Sequence, residues 1–527
     1  MSINSKVIIT PETQVSGKKT LMALVKTRFI VLFVIIGSMI GVALISRFAL
    51  IDNSVRLDEA QSLWQTSHSL LGTLEVVARD VHVPLYHVLL HFWTLYFGDS
   101  ITSARIMSLG FFLATIPIVY LLAREILSRN WSLFVVTLFS FSPFMNWYAN
   151  EARMYTLLVF IAVLNQYFFL KMIKRDKGWL GWTITAVIGA FSHYFFLFNL
   201  ATQGVFFLLN RKKFGPNAFK KVTAVAALVV AALTPWLLYF RSEGSASNTT
   251  PLLPNPSTVD FFNAYSNFLY GFQNDQINTI LVSFWPLLVL VALFAIRRNQ
   301  RISTEFSYIL MISLFPIVLA YIVSLLITPF FLSRYMVSSV AALLIIVVWF
   351  ISNYGKRFAY IAASALLVVT AVASINQNVS ASTPVKEDYQ SVANDVNRWV
   401  TPKDIVVLSA PFTVYPFQYY YTGSASISTL PIWNQNVPGS IPAFSSERLP
   451  DEVNKLKQDH QYLYLIQSQD QGYEEEIKTY FDRNFERTMV KQYSPGMSMY
   501  VYRVNYSQVP SLELIRQQNL VKASAQQ

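Results

Sequence analysis

Cysteine is absent from the 527 residues. That excludes disulfides, thiolate metal sites and cysteine nucleophiles. Charge is scarce as well: Asp, Glu, Lys and Arg make up 13% of the chain, against about 25% in soluble domains. Hydrophobic residues reach 54% and aromatic ones 15%, so the apolar content is far too high for a disordered chain. The N-terminal apolar run is too long for a signal-peptide core and has no A-x-A-like cleavage site, so it reads as a first membrane helix. No G-x-G-x-x-G follows a strand pattern, which leaves no basis for a dinucleotide site. Internal repeats are missing too.

What is present is a series of apolar runs. About eleven are candidates for the ~20 residues that a spanning helix needs: 29–50, 101–122, 131–148, 151–171, 179–193, 195–210, 222–240, 279–296, 306–328, 336–353 and 358–375. The formal net charge of +12 sits mostly in short clusters between them. This excludes nucleic acid as the partner and marks cytoplasmic loops instead. The basic junctions "REILSRN", "KMIKRDKG", "NRKKFGPNAFKK", "RRNQR" and "YGKR" fall at every second turn. The alternate junctions carry "RLDE", "NEAR", "SHYFF", the segment 241–278 and "FFLSRY" and are expected outside. The expected protein is therefore a polytopic α-helical protein of the cytoplasmic membrane, with its N-terminus inside and its C-terminus outside.

The expected organisation is a cytoplasmic segment 1–28, a multi-spanning domain 29–375, an extracytoplasmic α/β domain 376–508 and a polar tail 509–527. Within 51–100, "DEAQSLWQTSHSLLGTLEVV" and "VPLYHVLLHFWTLYFG" have helical apolar spacing but suit helices lying on the membrane surface. The segment 241–278, rich in Ser, Asn and Pro, reads as a flap over the outer face. In the C-terminal part, "KEDYQSVANDVNRWV" and "YEEEIKTYFDRNF" read as helices, and "DIVVLSA", "QYLYLIQS" and "MSMYVYRV" as strands.

The polar residues worth singling out gather at outer helix ends. They are Arg56, Asp58 and Glu59; Asp80 and His82; Glu151, Arg153 and Tyr155; His193 and Tyr194; and Arg334 and Tyr335. Charges embedded there are costly unless paired, and a single cavity at the interface would hold them. Plainer readings exist. Asp58 is placed to cap the helix after it, Glu59 to favour that helix's dipole, and the arginines to snorkel to headgroups.

Transfer of a sugar from a polyprenyl phosphate to a hydroxyl would use such a set. The tail of the donor lies in the bilayer and its phosphate at the interface. An outward carboxylate accepts the nucleophile's proton, a role for Asp58 with Glu59 beside it. Arginine binds the leaving phosphate bidentately and stays ionised, a role for Arg153 and Arg334 with Arg56 behind them. Histidine and tyrosine hydrogen-bond sugar hydroxyls or phosphate. Asp58, Glu59 and Asp80 also offer oxygens to a hard divalent cation, although nothing in their spacing demands a metal.

The stretches "RLDEAQSLW", "RDVHVPLYHVLLHFW", "NEARMYTLLVF", "SHYFF", "FLSRYM" and "KEDYQSVANDVNRWVTPKDIVVLSAPFTVYPFQYYYTG" resemble the bacterial branch of glycosyltransferase family 39. That family contains the dolichyl-phosphate-mannose protein mannosyltransferases. The sequence is also similar to the aminoarabinose transferases of lipid A, and all of these are C-type membrane glycosyltransferases. The resemblance runs from about residue 28 to 505. It implies a C-type fold and an inverting transfer of mannose or another hexose or pentose. The acceptor would be a protein, lipid or glycan at the outer membrane face. It further implies that Asp58 is the acceptor-side acid with Glu59 its partner, and that Asp80 and His82 stand in a D-x-H-P-P element. Arg153 falls in E-A-R-x-Y. Val83 replaces a usual proline, and no β-trefoil insertion is present. A flippase or transporter of lipid-linked sugars is the rival reading, but it favours repeated halves and polar residues at the midplane. A non-catalytic receptor is a second rival, and it has no use for the Asp58–Glu59 pair.

Overall fold

The computed structural model describes residues 11–505 except 81, 243–252, 286–301, 381 and 438, with backbone alone for 11–25. Among the described residues, seven helices are long and apolar enough to cross a membrane: Lys26–Leu50, Ile101–Ala123, Tyr155–Arg175, Ala218–Ser242, Thr304–Leu326, Ser333–Ser352 and Lys356–Val379. Trp179–Ser192 and Phe196–Leu209 are shorter apolar helices. The expected continuous span 131–148 is instead two helices, Arg129–Ser140 and Pro143–Ala149. The reason is local: Pro143 lacks a backbone N–H and occupies a helix start, and Ser142 caps it by accepting from Met145 N at 3.3 Å. Much of the expected span 279–296 and all of 509–527 lie outside the described residues. The segment 241–278, expected to be a flap, is helical in part of its described length. It contains the helix Thr258–Tyr270, whose start is closed by a reciprocal pair between Ser257 and Asp260.

The chain divides into two compact units. The first comprises the described parts of Met1–Ile51, Arg105–Leu233 and Pro254–Asn378. Its helices are locked by buried amides. Gln203 Nε2 donates to Asn165 Oδ1 at 2.7 Å and to Tyr308 Oη at 2.8 Å, and Gln203 Oε1 accepts from Trp182 Nε1 at 2.7 Å. Gln166 Nε2 donates to Asn199 Oδ1 at 3.1 Å. In apolar surroundings such bonds hold helices in one register. The turn between the two short helices is tight because Gly189 lies against the Phe196 ring. A Cβ there would come within 2.3 Å of it.

The second unit comprises the described parts of Asp52–Ala104, Thr234–Leu253 and Val379–Gln527. The region 52–104 forms three helices, Leu57–Thr66, Leu70–Ala78 and Leu85–Phe97. The C-terminal part forms a five-stranded sheet: β1 Ile405–Ser409, β2 Ser426–Thr429, β3 Tyr462–Gln467, β4 Glu486–Ser494 and β5 Met497–Arg503, in the order β2-β1-β3-β5-β4. β1 runs parallel to β2 and β3, while β5 is antiparallel to β3 and β4. The apolar runs of β1 and β3 are buried because they are the central strands. Helices Leu449–Leu456 and Glu474–Asn484 contribute Val453, Ile477 and Phe481 to a core with Val407, Leu465 and Tyr502. The tyrosine run of "PFQYYYTG" joins the two parts of this unit. Tyr420 Oη accepts from Val55 N at 2.9 Å, and Tyr419 Oη accepts from Ile101 N at 2.8 Å.

Candidate active site

The helix Leu57–Thr66 sets the geometry in the second unit. Its N-cap is Arg56 rather than Asp58, and the Arg56 backbone N–H donates to Glu59 Oε2 at 3.0 Å. Glu59 is fully buried. The capping expected of Asp58 thus falls to Glu59, and Asp58 sits half-buried in the first turn. Asp58, Gln61 and Gln65 share one helix face, since residues three and four apart are neighbours. Gln61 Nε2 and Gln65 Nε2 donate to Asp80 Oδ2 at 3.1 and 2.8 Å, so Asp80 is anchored along that face. His82 Nε2 lies 3.7 Å from the same oxygen, and its ring stacks on His87 with centroids 5.6 Å apart.

Two residues of the segment after the last spanning helix join this group. Glu387 accepts a bond from Gln469, and its carboxyl is pushed up to about 7, first by burial and then by the nearby Asp58 carboxylate, with Arg56 opposing. Burial and the Arg56 guanidinium hold the Lys386 ammonium below its ordinary value. Tyr415 is raised by burial and then by Asp80, and its ring lies 5.1 Å from that of Trp64. Gln61, Gln65, His87, Glu387 and Tyr415 were not among the residues expected from the sequence. The spacing of Asp58, Gln61 and Gln65 on one helical face was the available signal for the two glutamines.

The remaining expected residues gather in the first unit. Glu151 and Arg153 lie in the turn between helices Pro143–Ala149 and Tyr155–Arg175, where Arg153 N donates to Glu151 O at 2.7 Å. Both side chains are buried. From Tyr155 an aromatic series continues, with Tyr155 to His193 at 6.3 Å and His193 to Tyr335 at 5.7 Å. The Arg334 guanidinium lies 5.4 Å from the Tyr335 ring centroid. His193 Nδ1 accepts from Phe195 N at 3.2 Å, which leaves Nε2 as the protonated nitrogen of the neutral ring. Tyr194 follows directly, its hydroxyl buried. The expected residues therefore form two groups, each within one unit. Among the described residues no three His, Cys, Asp or Glu side chains are arranged to hold a metal ion.

Residues 81–239 match the sequence pattern of the family described as dolichyl-phosphate-mannose-protein mannosyltransferase. The resemblance read from the motifs is upheld. Solved structures agree in fold. ArnT from Cupriavidus metallidurans bound to undecaprenyl phosphate is similar over 92% of this chain and 98% of its own, with a TM-score of 0.56 and 12% identity. The apo form of the same protein is similar over 93% and 99%, with a TM-score of 0.54 and 11% identity. The Archaeoglobus fulgidus oligosaccharyltransferase tethered to an acceptor peptide containing the NVT sequon is similar over 91% and 75%, with a TM-score of 0.51 and 12% identity. No curated protein sequence matches. The chain has the C-type glycosyltransferase fold with a small C-terminal sheet domain, and it is a multi-pass membrane protein.

Proposed function

We propose that this protein transfers a sugar from a polyprenyl-phosphate donor to an acceptor hydroxyl at the extracytoplasmic face of the cytoplasmic membrane, with inversion at the anomeric carbon. The N-terminus lies in the cytoplasm and the C-terminal domain outside. The observation that carries this reading is the mannosyltransferase pattern over residues 81–239, which takes in His82, Glu151, Arg153, Tyr155, His193 and Tyr194. The structure related in fold and solved with undecaprenyl phosphate supports the class of donor.

In this reading the acceptor oxygen bonds to the anomeric carbon as the bond from that carbon to the phosphate oxygen breaks. The acceptor proton passes to Asp58, and polyprenyl phosphate leaves. Such a base contributes about 10²–10⁴-fold. Glu59 fixes the start of the helix that carries Asp58. Asp80, held by Gln61 and Gln65, and His82 beside it are assigned to sugar hydroxyls. The guanidinium groups of Arg153 and Arg334 are assigned to the donor phosphate, since arginine remains charged and binds phosphate in a fork. Glu151, Tyr155, His193 Nε2, Tyr194 and Tyr335 are assigned to hydrogen bonds with the donor.

The test is a transfer assay in membranes with a panel of radiolabelled polyprenyl-phosphate sugars. Wild type releases label from one donor, and Asp58→Asn does not. Release from no donor, or equal release by the variant, contradicts the reading.

A further inference from the structure

A cleft of about 690 Å³ lies in the C-terminal sheet domain. It is bounded by β2, by the loop that follows β2 and by the helix Val414–Tyr420 after β1. This is the region of an α/β sheet where ligands commonly bind, beyond the carboxyl ends of parallel strands. Its volume is within the ~300–1,000 Å³ of small-molecule sites. None of the expected catalytic residues lines it.

The lining has a definite chemistry. No Asp, Glu, Lys, Arg or His is among the described lining residues, so there is neither a counter-charge for an anion nor one for a cation. Instead one large aromatic, Trp433, and four aliphatic side chains stand among hydroxyl and amide groups that include Gln418, Ser428, Asn434 and Gln435. Gln435 Nε2 donates to Gln418 Oε1 at 2.8 Å, which orients both amides. The loop is held by Thr429, whose Oγ1 accepts from Trp433 N at 2.9 Å and donates to Pro431 O at 2.7 Å. Trp433 Nε1 is shielded from solvent and has no acceptor among the described residues. A buried donor of this kind calls for an explanation, and an acceptor on a ligand is one. β2 is also an edge strand, so one side of its backbone is outside the sheet's own pairing.

We propose that this cleft binds a neutral oligosaccharide. The indole face covers the C–H surface of a pyranose ring, an amphipathic contact suited to tryptophan. Paired amides and hydroxyls, each both donor and acceptor, match sugar hydroxyls, which are also both. An extended peptide on the β2 edge is the competing occupant. The amide-rich lining around one tryptophan favours the glycan, because edge pairing needs backbone groups and not a cluster of side-chain amides. The proposal concerns binding and does not depend on the transfer reaction. Where that reaction holds, the ligand is a glycan of the acceptor.

The Trp433 ring lies 6.2 Å from that of Tyr415. Tyr415 in turn lies 5.1 Å from Trp64, on the helix that carries Asp58. A glycan held in the cleft is thus two aromatic contacts from that helix.

The experiment uses the full chain in lipid nanodiscs free of glycoside detergents, which would compete. Equilibrium dialysis and saturation-transfer NMR are run with mannan, β-glucan and chitin oligosaccharides, with oligogalacturonate and with a Ser/Thr-rich peptide. A neutral oligosaccharide is expected to bind saturably, with roughly tenfold loss, the equivalent of about 1.4 kcal/mol, in Trp433→Ala. Asn434 is exposed, so Asn434→Ala keeps the fold and is expected to weaken binding as well. Asp58→Asn is expected to bind as wild type does, which separates this test from that of transfer. Binding of no neutral oligosaccharide overturns the proposal, as does binding unchanged in both cleft variants. Preference for the acidic oligomer or the peptide overturns it too.

Discussion

The Arg56 backbone N–H is bonded to the Glu59 carboxylate at 3.0 Å, and this one contact divides the labour of the acidic pair. Glu59 is fully buried and holds the helix start, while Asp58, one residue earlier, is half-buried on the face shared with Gln61 and Gln65. Glu59→Ala is therefore expected to cost roughly 1–2 kcal/mol of stability, the range of a lost helix cap. Glu59→Gln keeps an acceptor and is expected to retain most of it. Thermal unfolding of the two variants in nanodiscs checks this. Equal melting temperatures would show that the bond does not hold the helix.

Asp80 is a separate case because Gln61 and Gln65 both donate to its Oδ2. Bonds to a charged acceptor are worth about 1.5–3 kcal/mol each. Gln65→Leu is expected to loosen Asp80 and lower kcat/KM by about tenfold, the equivalent of 1.4 kcal/mol. The measurement is steady-state transfer with the donor that wild type uses. No change in kcat/KM would remove Asp80 from the working set.

Glu387 supplies the pH dependence. Its carboxyl is raised from 4.5 to about 7, mainly by burial, so the folded chain binds this proton more tightly than the unfolded one. Stability from this group is fully present below 4.5 and is lost as pH rises through 7. The melting temperature of wild type is expected to fall over this window, and Glu387→Gln is expected to flatten that part of the profile. The variant should also lose an inflection near pH 7 in the transfer rate, because the charge next to Asp58 no longer changes. Identical pH profiles for the two proteins would contradict the assignment.

In the proposed reaction Arg153 and Arg334 hold the donor phosphate, and arginine suits that role by its fork of donors. Arg153→Lys and Arg334→Lys keep the charge and lose that geometry. Each is expected to raise the donor KM by roughly tenfold, about 1.4 kcal/mol, with the acceptor KM little changed. Donor titrations at fixed acceptor test this, and a rise confined to the acceptor KM would reassign the residue.

Legibility in the sequence followed burial. The runs that became β1, β3 and β5 were readable because their buried residues form compact apolar stretches. β4, "ERTMVKQYS", was not, since it is an almost wholly exposed edge strand with no apolar pattern. Nor was β2, which is four residues long. The break at Ser142–Pro143 was signalled by proline but masked by continuous hydropathy on both sides. In the site, Asp58 and Asp80 stood out as carboxylates placed where a membrane chain tolerates few. Glu387 did not, because its surroundings come from Asp58 and Arg56, distant in the chain, and only folding brings them together.

The most direct test of the account is transfer of label from polyprenyl-phosphate sugars by wild type and by Asp58→Asn, in protein shown to melt at the same temperature. The account predicts that one donor is consumed by wild type and that the variant is slower by a factor of about 10² or more. Equal rates, or no donor consumed by either, would contradict it.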